Sequence, residues 1–175
     1  QQYDKFGTSV AVGSGRIVVG APFRDTASVG DTRTTAEGAA YIYDLNGSLI
    51  SRLKPEADST DNGADKFGSS VAVGCGRIVV GAPGWKQPIV GSVATADNAG
   101  AAYIFDIKSH EQICKLTVNA GAGTTLGSSV AVGSGRIVVG APQKDKDSST
   151  LNSGAAYIYD LDGNLISTLT AGADE

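Results

Sequence analysis

The sequence is poor in histidine, in basic charge and in long apolar stretches. Its one histidine, His110, cannot supply a Ser–His–Asp set in each repeated unit, and it falls in a hairpin sequence typical of a surface position. With 14 Lys and Arg against 18 Asp and Glu residues, no basic patch points to a nucleic-acid partner. No apolar stretch approaches the ~18 residues of a membrane span. We therefore expect neither nucleic-acid binding nor a membrane span.

Methionine is absent, and the chain begins at Gln1 without an apolar signal region. We expect a mature or excised segment from which any targeting sequence has gone. Asn46-Gly47-Ser48 matches an N-glycosylation acceptor, which fits the expected secreted or cell-surface location. Asn-Gly is also a preferred two-residue hairpin turn, and a turn is the simpler interpretation.

Repetition is what the sequence has in abundance. A block that begins Phe-Gly and ends Gly-Ala-Pro occurs at residues 6–22 and 67–83, and residues 126–142 repeat it with Leu126 in place of Phe. A second block begins Gly-Ala-Ala-Tyr-Ile and recurs at residues 38–44, 100–106 and 154–160. Spacing of about 60 residues is typical of tandem-repeat architectures. We predict one repeat domain, 1–175, with units at about 4–64, 65–124 and 125–175.

Each unit predicts four strands. In the first unit, the β-branched runs 9–12 and 16–21 are separated by Gly13-Ser14-Gly15, which predicts a tight hairpin. Residues 39–45 and 48–53 give the third and fourth strands. The second strand has no polar face, so we expect both of its sides to be covered. No window has helical apolar spacing over a useful length, so the predicted fold is all-β, with a four-stranded antiparallel meander in each unit.

A four-stranded meander that repeats every ~60 residues and packs between its neighbours is the design of a β-propeller blade. The blocks also resemble the FG-GAP repeat of integrin α-subunit propellers. Phe-Gly-x-Ser-Val-Ala followed by Val-Gly-Ala-Pro occurs in the first two units, and the third departs only at Leu126. The resemblance covers nearly the whole chain. It implies a β-propeller with three blades in this chain and a role in recognition or adhesion.

One departure from that family bears on metal binding. Integrin-like blades often carry a Ca²⁺ loop of the Asp-x-Asp-x-Asp-Gly type between the first and second strands. Here that connection is two residues, such as Ser14-Gly15, which cannot supply the six to eight oxygens that Ca²⁺ needs. The resemblance therefore does not extend to the usual metal site, and no Arg-Gly-Asp occurs.

The connections after the second and fourth strands of each unit are long, and in a meander they leave the same face. We expect this face to bind a protein or a glycan, because function concentrates in loops held by a rigid scaffold. The candidate ligand-binding residues are Trp85, Asp25, Asp31 and Asp97. An exposed Trp85 would stack on a sugar or anchor a protein partner; the alternative, that it only covers its own loop, is equally consistent with the sequence.

One long connection carries a weak calcium pattern. Its candidate Ca²⁺ ligands are Asp58, Thr60, Asn62 and Asp65, in a run that partly resembles an Asp-x-x-x-Asn-Gly loop. The run lacks the bidentate Glu at the required distance. A solvated, turn-forming loop is the simpler interpretation, so we expect no cofactor to be required.

Two functions of different classes follow. The first is a non-catalytic recognition or adhesion module. The alternative is a metal-assisted hydrolase that uses a carboxylate cluster such as Asp58, Asp61 and Asp65. The acidic positions agree poorly between units, which favours the first.

The two cysteines stand where the other units have serine, which suggests a pair. Cys75 follows the first strand of its unit and Cys114 lies on the fourth, two or three strand spacings of ~4.8 Å away. A disulfide requires Cα atoms within ~7 Å. We predict two small, partly buried free thiols.

The number of units bears on assembly. Residues 171–175 align with residues 62–66, so the sequence ends at a unit boundary after three whole units. Propellers close with about four to eight blades, and three would leave two apolar blade faces open. We expect a homodimer that closes a six-bladed ring, with the first blade of each copy against the third blade of the other. The competing interpretation is a fragment of a longer chain.

Overall fold

The structure is a computed structural model that describes residues 3–24, 37–56, 65–89, 95–119, 122–145 and 152–171. The regular structure in these ranges consists of three four-stranded antiparallel sheets and one two-stranded sheet. In the described ranges, no helix is long and apolar enough to span a membrane. The all-β prediction is confirmed.

The three large sheets, which we call the first, second and third blades, are meanders of consecutive major strands. The first blade contains β1 (Ser9–Gly13), β2 (Arg16–Ala21), β3 (Ala39–Tyr43) and β4 (Leu49–Leu53). The second contains β5 (Ser70–Gly74), β6 (Arg77–Ala82), β9 (Ala101–Asp106) and β10 (Gln112–Leu116). The third contains β11 (Ser129–Gly133), β12 (Arg136–Ala141), β13 (Ala155–Tyr159) and β14 (Leu165–Leu169). The predicted four-strand meander is therefore present in every unit.

One small sheet was missed by the sequence analysis. It pairs β7 (Gln87–Pro88) with β8 (Thr95–Ala96), inside the connection between β6 and β9. The sequence between these strands, from Ile89 to Ala94, places Gly91-Ser92 between β-branched residues, which is a hairpin signal.

The turn between the first two strands of each blade has the left-handed backbone of a two-residue hairpin. Ser14, Cys75 and Ser134 have φ of 49°, 51° and 49°, and each is followed by a glycine that also has positive φ. Two successive positive φ values match the right-handed twist of the flanking strands. The predicted tight hairpin is confirmed.

An aspartate fixes the turn between the third and fourth strands. The Asp44 Oδ1 atom accepts hydrogen bonds from the backbone N–H groups of Asn46, at 2.9 Å, and Ser48, at 2.8 Å. Asp106 and Asp160 make the same kind of bond in the other blades. Asn46-Gly47 thus lies in the hairpin turn that the sequence predicts.

The core lies between the blades, in two layers. In the layer between the first two blades, Val18, Ile42 and Leu53 pack with residues of the second blade that include Ile78 and Tyr103. The next layer joins the second and third blades through Val79, Ile104, Leu116, Ile137 and Val139. Val79 and Val80 are neighbours on β6 and are both fully buried. The prediction that the second strand is covered on both sides is confirmed for the middle blade.

Cys75 and Cys114 are free thiols. Cys114 is half-buried against the third blade, where its Sγ lies 3.6 Å from the Asp162 carbonyl oxygen. Cys75 is exposed, because its two-residue turn projects from the end of the sheet. The prediction of partial burial is correct for Cys114 and wrong for Cys75.

Candidate functional site

The long connections lie together because strands in a meander alternate in direction. The connections that leave β2, β4, β6, β10 and β12 all begin at the same end of their sheets. We call this end the long-loop face. The opposite end carries only the short hairpin turns, so the two ends of the blades differ in the surface that they offer to a ligand.

Of the candidate ligand-binding aspartates, Asp97 is described, and Asp25 and Asp31 lie outside the described residues. The Asp97 carboxylate is exposed, with its Oδ1 atom 3.3 Å from the Lys86 Nζ atom. Its backbone carbonyl accepts a hydrogen bond of 2.8 Å from the Gly123 N–H. Asp97 therefore places an ion pair on the long-loop face and links two of its connections.

Trp85 does not have the exposed ring that a stacking site requires. Only 4% of the residue is exposed, and it belongs to the apolar layer between the first two blades. The Lys115 Nζ atom lies 4.3 Å from the centroid of the indole ring. Of the two interpretations of Trp85, the structure favours a covered ring, because the ring belongs to the layer between the first two blades and the Lys115 ammonium lies over it.

The four candidate calcium ligands are only partly described. Asp58, Thr60 and Asn62 lie outside the described residues, whereas Asp65 is buried. The Asp65 carbonyl oxygen accepts a hydrogen bond of 3.0 Å from the Gly84 N–H, as the Asp4 carbonyl oxygen does from Phe23 at 3.3 Å in the first blade. Position 65 thus serves the packing of the repeat. Among the residues that the structure describes, no three His, Cys, Asp or Glu side chains are grouped as a metal site.

The outer side of the first blade has a cavity that the sequence analysis did not predict. Its volume is about 400 Å³, and its lining includes Tyr3, Phe6, Arg24, Tyr41 and Tyr43. The Phe6 ring contacts Tyr41 edge-on, with centroids 5.5 Å apart, and 55% of Phe6 is exposed. The cavity is open and has a mixed lining, with Asp4, Lys5 and Arg24 beside the aromatic rings, on the side of the blade away from the second blade.

Charged side chains join the second and third blades. The Arg77 Nε atom donates a hydrogen bond of 2.9 Å to the Leu161 carbonyl oxygen, and Arg77 also lies 3.2 Å from the Asp162 carboxylate. The Asp106 carboxylate, in its own blade, is 3.5 Å away. One guanidinium group thus connects two short hairpin turns at the end opposite the long-loop face.

The electrostatics of the described residues suit structural roles. Backbone N–H donors of Ser109 and Lys108 lower the pKa of Asp106, and hydrogen bonds from Asn164 lower the pKa of Asp160. Burial raises the pKa of the Cys114 thiol and raises the pKa of Tyr159 to about 12. These carboxylates stay ionised and the phenol stays protonated at neutral pH.

Comparison with known proteins gives one family and many similar solved structures. The FG-GAP repeat family matches the chain in three segments, at residues 1–43, 57–105 and 111–159. No curated protein matches the chain. The chain is similar to the structure titled "Crystal structure of the computationally designed Ika4 protein", with a TM-score of 0.55, 16% identity, and coverage of 97% of this chain and 74% of that chain.

The likeness to that solved structure shows the fold alone, whereas the family matches cover more than half of the 175 residues. They extend over all three blades and include the Phe-Gly and Gly-Ala-Pro blocks of the first two. The chain belongs to the FG-GAP repeat family, and its three sheets are β-propeller blades.

Proposed function

We propose that the chain is a non-catalytic recognition or adhesion module that binds a protein or a glycan through the long-loop face. The observation that carries this proposal is the gathering of every long connection at one end of three rigid blades. FG-GAP repeats are typical of extracellular and surface proteins with such roles, which supports a secreted or cell-surface location.

The long-loop face also offers charge for recognition. Lys86 is partly exposed and Asp97 is exposed, so their ion pair contributes little to stability and is accessible to a ligand. Charge complementarity at such a surface determines which partner binds and increases the association rate. The family and the topology support the proposed binding surface, and Asp97 is a described residue of the long-loop face.

The proposal is tested by a glycan array and a display screen of extracellular protein segments, followed by affinity measurement on the hits. We expect Asp97→Lys to weaken binding at least ~10-fold, because it places like charges opposite each other on the long-loop face. Glu111→Lys is the matched control, since Glu111 is exposed in a short hairpin at the opposite end. Absence of any ligand, or equal losses for the two variants, would contradict the proposal.

The alternative, a metal-assisted hydrolase, would use Asp58, Asp61 and Asp65. Asp65 is buried, and the acidic positions agree poorly between units, which favours the recognition module. An esterase and phosphatase screen separates the two, because turnover that is lost in Asp61→Asn would replace our proposal. A calorimetric titration with Ca²⁺ tests the four candidate ligands, including Thr60 and Asn62, and the proposed module requires no bound metal.

We also propose that two copies of the chain associate into one six-bladed ring. Among the residues that the structure describes, the first and third blades each have one side that no other blade covers, and apolar side chains are exposed there: Phe6, Val10 and Leu169. A ring of six blades falls within the four to eight that propellers use.

A further inference from the structure

The contact between blades occurs twice in the chain, built both times from the same parts. A Phe-Gly or Leu-Gly segment at the start of one blade lies against the preceding blade. Phe67 forms a parallel bridge with Gly38, and Leu126 forms one with Gly100. The Phe67 N–H donates to the Glu37 carbonyl oxygen at 3.0 Å, as Leu126 does to Ala99 at 3.1 Å. The inserted segment thus pairs with the preceding blade through its backbone.

The receiving side of this contact is a cleft that fits only glycine and a small hydroxyl. A Cβ atom at Gly20 would collide with the Gly68 carbonyl oxygen, and one at Gly81 would collide with that of Gly127. The Ser9 hydroxyl donates a hydrogen bond of 2.8 Å to the same Gly68 oxygen. The Ser70 hydroxyl donates one of 2.8 Å to Gly127.

The third blade has the same cleft without an inserted segment. Its parts, equivalent to those of the first two blades, are Ser129, Gly140 and Gly154. The three atoms nearest to a Cβ atom at Gly140 all belong to Ser129 of its own blade, whereas at Gly20 and Gly81 the nearest atom is a carbonyl oxygen of the next blade. Ser129 is exposed, whereas Ser70 is buried. The third blade therefore offers a complete receiving cleft.

The first blade has the matching segment without a cleft. Phe6 and Gly7 are equivalent to Phe67 and Gly68, yet Phe6 is 55% exposed whereas Phe67 is fully buried. Gly7 has a φ of 91°, close to the 93° of Gly68, so its backbone already has the inserted conformation. A Cβ atom at Gly7 would meet nothing within 4 Å, whereas one at Gly68 would collide with the Ala39 carbonyl oxygen.

The broad faces of the sheets show the same difference between a position that the next blade covers and one that is uncovered. Leu53 and Leu116, on the last strands of the first two blades, are 2% and 3% exposed because the next blade covers them. Leu169 is their equivalent on the third blade and is 50% exposed. The surface that would cover it is partly equivalent to the covering surface of the second blade: Tyr41 corresponds to Tyr103, whereas Arg24 stands where the second blade has Trp85.

The first blade carries the inserted segment and the third blade carries the receiving cleft. We infer that Phe6-Gly7 of one copy inserts into the cleft of Ser129, Gly140 and Gly154 on the third blade of a second copy. This contact, which we call the seam, rests on the assembly proposed above and specifies how that assembly is made. One chain carries both halves, so the contact is head-to-tail and a second copy is a sufficient partner. Closure of the three described blades on themselves would need a three-bladed ring, below the range of propellers.

Leu169 tests the seam with a matched control on the same strand. Leu165 is 54% exposed, but its first-blade equivalent, Leu49, stays 58% exposed beside the second blade, so the seam does not cover this position. We expect wild type and Leu165→Asp to have a mass near 35 kDa, twice the 17.7 kDa of the chain, by light scattering at micromolar concentration. We expect Leu169→Asp to have the mass of one chain.

A mixing experiment tests the head-to-tail arrangement. Phe6→Asp damages the inserted segment and Leu169→Asp damages the receiving side, so each variant alone is expected to be monomeric. A mixture of the two variants regains one undamaged seam, made by Phe6 of one variant and Leu169 of the other. We expect the 35 kDa species to reappear in the mixture and not in either variant alone.

Each outcome has one meaning. A wild-type mass of 17.7 kDa would contradict both the assembly and the seam. This conclusion is the same whether the uncovered sides contact other blades or only solvent. A 35 kDa wild type whose mass is unchanged in both Phe6→Asp and Leu169→Asp overturns the seam and leaves the assembly. Larger open-ended species overturn the closed ring. Ligand binding by the long-loop face is measured separately, so its failure is distinguishable from these results.

Discussion

The Ser70 hydroxyl donates a hydrogen bond of 2.8 Å to the Gly127 carbonyl oxygen, across the contact between the second and third blades. Both residues belong to blocks that recur in every unit, and Ser9 and Gly68 make the same bond one blade earlier. The bond holds one blade in position relative to the next. It also explains why a small hydroxyl and a glycine occur together in the repeat.

We predict that Ser70→Ala lowers the free energy of unfolding by about 1–3 kcal/mol, because it leaves a buried carbonyl oxygen without its donor. Ser129→Ala, made in the Leu169→Asp background to prevent association, is the control and should change stability little, since Ser129 is exposed. Urea denaturation of the variants measures both. Equal losses would show that the hydrogen bond between blades is not the cause.

Gly81→Val is predicted to be among the most damaging substitutions. A side chain there collides with the Ser70 hydroxyl of its own blade and with the Gly127 carbonyl oxygen, a backbone atom that cannot withdraw without separating the blades. We expect a loss of at least ~3 kcal/mol from overpacking and backbone displacement. Thr168→Val places the same side chain on an exposed strand position and should stay within ~0.5 kcal/mol. Similar melting temperatures for the two variants would contradict the blade alignment.

Asp160 is predicted to make stability depend on pH under acid conditions. Its hydrogen bonds lower its pKa below the ordinary 3.8, so its stabilising contribution is complete above that value and is lost as the pH falls through the lowered pKa. Asp160→Asn keeps an acceptor in the turn but does not titrate. Between about pH 5 and pH 2, the melting temperature of wild type should fall more steeply than that of the variant; parallel curves would argue against this role.

The two thiols are predicted to differ in reactivity. Cys75 is exposed, whereas Cys114 is half-buried and burial raises its pKa. At pH 8 the folded protein should alkylate at Cys75 first, and at Cys114 at least ~10-fold more slowly, because the thiolate is the reactive form. Cys75→Ser should retain only the slow phase. Fewer than two free thiols in the denatured, unreduced protein would mean that a disulfide exists.

The strands were predictable because their signals are local. The Gly-Ser-Gly turn and the β-branched runs on both sides give β1 and β2 directly, and the observed bounds differ from the predicted ones by no more than two residues in the first blade. Repetition then extends the assignment to all three units. The lack of a polar side in β6 predicts that both of its sides are buried. Val79 and Val80 lie on opposite sides of this strand, and both are fully buried.

The site was harder to predict because it depends on contacts between distant segments. The sequence around Trp85 does not indicate that Lys115, thirty residues later on β10, covers the Trp85 ring. Asp65 looked like a loop ligand, but its equivalence to Asp4 in the first blade marks it as part of the repeat. The exposed Leu169 is recognised only when its burial is compared with that of Leu53.

The seam continues the contact between blades from one copy of the chain to the next. Sedimentation equilibrium of the wild-type protein over a range of concentrations measures this association. We predict a species near 35 kDa at micromolar concentration that dissociates on dilution only to the 17.7 kDa chain. A mass of 17.7 kDa at every concentration, or a mass that grows without limit as concentration rises, would contradict it.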